Sequence, residues 1–257
     1  MWTIRQEQTE AFRQYHLQKF EDEMVEHSRE FSPRLCRVLG DEQLRVALRS
    51  AMKHANNYGF TNKGPLRLFI EMMFLCGSAF DTDPQYAGVG DILRSPGDQM
   101  LRAEQIHQGS LAYLEQVSGR DGVNVRRALV EVSKLRQAPL MISGANFVAD
   151  LLQEMRRIFP QKAAYIGETR LTSLIHEGIA ESRTVGFSTI RQGTLIVVLM
   201  FAFGHGCTQD PLYPWISRTL RDHRIVGPTA RADRLERKAF TWLSHVLARP
   251  PGESKHE

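Results

Sequence analysis

Leu195–Phe203 reads LIVVLMFAF, the longest apolar run in the chain, and the fold turns on whether it is a buried strand or a buried helix. Taken alone, its β-branched residues and unbroken apolarity fit the strand template. The chain supplies a second copy to decide. A shift of 127 positions lays Phe20–Leu93 onto Phe147–Leu220 without a gap: Pro33 falls on Pro160, Gly40 on Gly167, Gly59-Phe60 on Gly186-Phe187, Gly77 on Gly204 and Asp83-Pro84 on Asp210-Pro211. A shift of 129 carries Arg102, Ala103, Leu114 and Val117 onto Arg231, Ala232, Leu243 and Val246. The counterpart of the apolar run, Leu68–Cys76 (LFIEMMFLC), encloses Glu71 and is rich in long unbranched and aromatic side chains, which suit a helix. Two copies share one backbone, so both runs are read as helices.

The neighbouring segments agree. Leu44, Leu48, Ala51, Met52 and Ala55 form one stripe at helical spacing, and Leu235, Ala239, Trp242, Leu243, Val246 and Leu247 form another. No alternating apolar/polar run is flanked by hairpin turns. The expectation is an all-α protein of two tandem, quasi-symmetric multi-helix repeats: copy one over 1–118, a connecting helix or linker over 119–142, copy two over 143–249 and a flexible tail over 250–257. Gly119–Val123 reads as the turn that opens the linker, and Pro139 breaks it again. Gly59-Phe60-Thr61 and Gly186-Phe187-Ser188 read as a glycine stop followed by a Thr or Ser cap. Asp83-Pro84 and Asp210-Pro211 read as an N-cap with proline at the first helical position. Tyr86 and Tyr213 then face the body of each copy.

The 257 residues, 42% hydrophobic and 24% charged, have ordinary globular proportions, enough to bury a core without staples. Cys36, Cys76 and Cys207 are three, widely spaced and without a C-x-x-C, which argues against a disulfide framework or zinc site and for a reducing compartment. The first ten residues carry no apolar signal core, and nine apolar residues are too few to span a bilayer. A cytoplasmic protein is expected.

Candidate chemistry is sparse. Glu23 and His27 lie four apart on one helix and could offer a carboxylate and an imidazole to a metal, but an i, i+4 pair on a solvated face is the simpler reading. His176-Glu177-Gly-Ile-Ala180 begins like a zinc-protease helix, yet Ala180 stands where the second histidine belongs. Asp81 and Asp83 are fewer oxygens than a cation loop needs. Gly204-His205-Gly206-Cys207 sets a thiol near an imidazole, the raw material of nucleophilic catalysis, though neighbours two apart seldom face each other. No phosphate-cradling or serine-hydrolase signature occurs. Neither a catalytic residue nor a cofactor or metal site is expected.

Charge is the remaining signal. Residues 1–119 hold 13 Lys+Arg against 16 Asp+Glu, a formal −3, and residues 120–257 hold 20 against 13, a formal +7. Arg218, Arg221, Arg224, Arg231, Arg234, Arg237, Lys238 and Arg249 crowd the last helices, with Tyr213, Trp215 and Trp242 among them. Such a surface is a solvated face, steers an acidic protein partner, or binds nucleic acid, where cations neutralise phosphates and aromatics stack bases. Asp222, Asp233 and Glu236 interrupt the stripe, and Trp242 stands on the apolar face, which favours the protein. Trp215, Arg218, Arg221, Arg231, Arg234 and Arg237 are the candidate partner-binding residues.

Tyr58-Gly59-Phe60-Thr61, the stretch from Met72 through Gly77-Ser78-Ala79-Phe80-Asp81-Thr82-Asp83-Pro84, and Asp210-Pro211 with Pro214-Trp215 together resemble the pattern of an uncharacterised bacterial family. That family is encoded beside type VI secretion spike, tip and effector genes. The opening Ile4-Arg5-Gln6-Glu7-Gln8 is similar to the family's start, whereas Ala87-Gly88 replaces the Pro-Trp that copy two keeps. The resemblance implies a non-enzymatic accessory protein that holds a secreted effector toxin or its loading complex, as an adaptor or co-chaperone, or as a cognate immunity protein.

Overall fold

The computed structural model describes residues 6–248, and among these every regular element is helical. Ile4, Arg5, Arg249 and the 250–257 tail lie outside the described residues. Copy one runs α1 (Gln6–Phe31), α2 (Pro33–Leu39), α3 (Asp41–Asn57), α4 (Lys63–Cys76), a 3₁₀ turn at Pro84–Tyr86, α5 (Ala87–Arg94) and α6 (Gln99–Tyr113). A π-turn (Leu114–Ser118) and α7 (Val123–Lys134) lead to α8 (Phe147–Ile158), α9 (Pro160–Ile166), α10 (Glu168–Thr184), α11 (Ile190–Phe203), α12 (Pro214–Leu220) and α13 (Pro228–Leu247). The run that decided the fold, Leu195–Phe203, is the C-terminal half of α11, and Leu68–Cys76 ends α4.

The limits of α2, α3 and α4 recur at the 127-residue shift as those of α9, α10 and α11. So do the devices that set them. Arg29 ties α1 to Asp41 at the start of α3 at 2.7 Å, and Arg156 ties α8 to Glu168 at the start of α10 at 2.5 Å. Arg102 donates to the carbonyl of Leu93, and Arg231, 129 residues on, donates to the carbonyl of Leu220.

The caps differ by a residue from their sequence reading. In copy two Thr189, not Ser188, caps α11, in a reciprocal capping box with Gln192. In copy one no side chain of the Thr61-Asn62 pair caps α4; Gln99 of α6 instead accepts from both backbone N–H groups at 2.8 and 3.0 Å. Asp83 caps its 3₁₀ turn as expected, whereas Asp210 caps a turn and α12 begins only at Pro214.

The junction between copies is reciprocal. The N–H of His205 donates to Asp83 Oδ2 at 2.7 Å, and the N–H of Ser78 donates to Asp210 Oδ2 at 2.8 Å; each partner of the second bond lies 127 residues from its partner in the first. Burial pushes both carboxyls above their ordinary range, opposed by the N–H groups they accept from. Beside them the C-termini of α4 and α11 abut at Gly77 and Gly204, with φ of 94° and 93°. A Cβ at Gly77 would collide with the carbonyl oxygen of Phe203, and one at Gly204 would sit 2.7 Å from that of Cys76. Gly77→Ala is therefore expected to cost about 2 kcal/mol or more, left-handed strain plus the clash, read as a lower urea midpoint; an unchanged midpoint would mean the junction is loose.

Candidate functional site

α12 and α13 pack on each other and carry the basic residues. Arg218 is exposed on α12 and its guanidinium reaches Gln43 Oε1 at 3.3 Å. Arg234 and Arg237 are exposed on α13, one turn apart, and Arg221 is exposed just past α12. Lys238 registers how close they lie: burial first, then the charges of Arg234 and Arg218, hold its ammonium below the usual lysine range, with only Asp222 opposing. Asp222 is itself committed to Arg224 at 2.9 Å. Asp233 and Glu236, which interrupt the stripe in sequence, both bind Arg191 of α11.

The other candidates belong to the framework. Arg231 is spent on Leu220, and its buried Nε has no partner. Trp215 is half-buried, edge-on to Phe203 at 6.1 Å, with its indole N–H buried and unpartnered. Tyr213 is buried, and Trp242 packs edge-on against Phe203 at 4.8 Å. The structure thus gathers Arg218, Arg234 and Lys238 into one cluster and turns the aromatics inward.

A second constellation was not legible as such in the sequence. His205 Nδ1 lies 3.0 Å from Glu177 Oε2 on α10, and its Nε2 lies 3.0 Å from the hydroxyl of Thr82, which is exposed. They stand beside a cavity lined by Ser78, Ala79, Gly206, Thr208 and Gln209. Hydroxyl, imidazole and carboxylate follow the order of a hydrolase triad. Yet the N–H groups of Ser78 and His205 are committed to Asp210 and Asp83 and cannot receive a developing oxyanion. At the shift of 127, Ser78 and Gln209 replace His205 and Thr82, so a pattern search across the copies finds nothing recurring. Cys207, the thiol suspected beside His205, is fully buried and pushed well above its usual range by burial.

The chain has no match among protein-family models, curated proteins or solved structures. Among the described residues no three His, Cys, Asp or Glu side chains converge as metal ligands, and no helix is long and apolar enough to cross a membrane. The Glu23–His27 pair of the sequence reading does not form. His27 turns instead to Glu71 at 2.7 Å, and Glu23 pairs with Lys63 at 2.8 Å.

Proposed function

We propose that this is a non-enzymatic accessory protein that captures an acidic partner protein on the α12–α13 face. In the setting its sequence resemblance implies, the partner is a secreted effector of a type VI secretion system or that effector's loading complex, held in the cytoplasm. The observation that carries the reading is the crowding of Arg218, Arg234 and Lys238 with one committed carboxylate near them. Like charges held together raise each other's energy in the free protein, and an acidic surface relieves that cost while steering encounter. Nucleic acid is the rival because phosphates offer the same sign of charge. What supports a protein instead is that Tyr213 is buried and Trp215 and Trp242 pack edge-on against Phe203, so these rings are engaged with the core rather than held out to stack a base.

The reading predicts that Arg218→Glu combined with Arg234→Glu lowers partner affinity at least tenfold at about 0.15 M salt with little change in thermal midpoint, since both side chains are exposed. Binding titrations with the purified partner measure it, and unchanged affinity would remove this face. Tight binding to bulk duplex DNA that weakens steeply with salt would favour the rival.

A further inference from the structure

Separately from partner capture, we propose that the cavity beneath α7 binds a long-chain aliphatic monocarboxylate, its carboxylate on Lys162 Nζ and its chain between α11 and α13. Two cavities meet there. The larger, about 380 Å³, lies among α7, α11, α13 and residues 139–142, and is almost wholly aliphatic and aromatic, with Leu195, Leu199 and Phe240 in its walls. That size falls in the usual range of small-molecule sites. The smaller, about 90 Å³, shares Leu129, Val132, Leu140, Val198 and Ala202 with it and is also lined by Lys162 of α9.

Lys162 is the unusual group. It is 4% exposed, and its ammonium has one hydrogen-bond acceptor, the Phe201 carbonyl at 2.6 Å. The rings of Phe201 and Tyr86 lie 4.9 and 5.7 Å away. No carboxylate lies within 4.0 Å of it among the described residues; Glu154, which lines the same cavity, is bound to Arg157 at 2.7 Å. An ammonium has three donors and the Phe201 carbonyl takes one, while the buried Asp83 carboxylate attracts it only from beyond 4.0 Å and offsets part of the burial cost, so the remaining donors suit an anion in direct contact. A single ammonium beside a small cavity suits a monoanion better than a phosphate dianion. Thr194, nine-tenths buried, adds a hydroxyl without a partner in the larger cavity. The way in lies past α7, which is lightly packed: Ala128 is the one buried residue of its twelve.

Titrating the full-length protein with dodecanoate below its micelle concentration, beside dodecanol and dodecyltrimethylammonium of equal chain length, tests the proposal. We expect one dodecanoate per chain, bound at least tenfold more tightly than the alcohol or the cation. Lys162→Met should abolish the preference for the carboxylate while leaving the protein folded. Val198→Phe, at the wall both cavities share, should weaken the carboxylate tenfold or more without touching the ammonium. Equal binding of acid and alcohol to the wild type, an intact preference in Lys162→Met, or no binding of dodecanoate at all would overturn it and leave Lys162 as a brace for the end of α11. If Lys162→Met fails to fold, the wild-type comparison of acid with alcohol and the Val198→Phe titration decide the matter. Partner capture on the α12–α13 face is unaffected by either result.

Discussion

Replacing Asp83 by alanine is expected to destabilise the fold by about 3–5 kcal/mol, because it strands buried donors that cost roughly 1–3 kcal/mol each. Asp83 accepts from the N–H of His205 across the junction and from the N–H and side-chain amide of Gln85, at 2.7, 2.8 and 3.0 Å. Asp210→Ala should cost a comparable amount, since Asp210 accepts from the N–H groups of Ser78 and Leu212, both at 2.8 Å. The two losses share one junction, so the double variant should fall short of their sum. Asp98 calibrates the effect. It caps α6 in the same chemical way, accepting from Met100 and Leu101, but in an exposed position, so Asp98→Ala should cost only about 1 kcal/mol. Urea unfolding of the four variants measures these differences. If Asp83→Ala were no worse than Asp98→Ala, the junction would not be where the two halves are held.

Lys162→Met is expected to do the opposite and stabilise the protein, by about 1–3 kcal/mol at pH 7. Burial pulls the Lys162 ammonium from 10.5 down to about 8, with the charge of Asp83 only partly opposing it. A lysine with a lowered folded pKa binds fewer protons folded than unfolded, so stability rises as pH climbs through the window from about 8 to 10.5. Below about 8 the full cost of burying the charge is present. Methionine removes that cost and gives up the bond to Phe201. The advantage of the variant should therefore be largest at neutral pH and shrink towards pH 10. A variant less stable than wild type at pH 7 would mean that the ammonium–carbonyl bond outweighs desolvation.

What the sequence disclosed depended on which interactions are local. Helix against strand for Leu195–Phe203 could be decided because Glu71 interrupts the counterpart run, and the stripes of Leu44–Ala55 and Leu235–Leu247 have a period that a single segment reveals. Asp83 and Asp210 were legible as caps, since a cap bonds two residues away. Their bonds to His205 and Ser78 span more than 120 residues, and no local pattern encodes them. The start of α4 was misread for the same reason: the N–H groups of Thr61 and Asn62 are bound by Gln99, 38 and 37 residues further on. Of the basic set Arg218, Arg221, Arg234 and Arg237 are exposed, but Arg231 is drawn in by the carbonyl of Leu220, as Arg102 is by that of Leu93, a long-range bond that charge alone does not reveal. Lys162 could not be found by composition, because in sequence it stands in an ordinary amphipathic turn, and only packing removes it from water.

The most direct test of the capture reading is affinity purification from the native bacterium with the wild-type chain and the Arg218→Glu/Arg234→Glu variant in parallel, with nuclease treatment and mass spectrometry of what is retained. The reading predicts an acidic secreted protein or spike component in fixed ratio with the wild type, surviving nuclease and lost from the variant. Retention of the same protein by both chains, or of nuclease-sensitive nucleic acid alone, would contradict it.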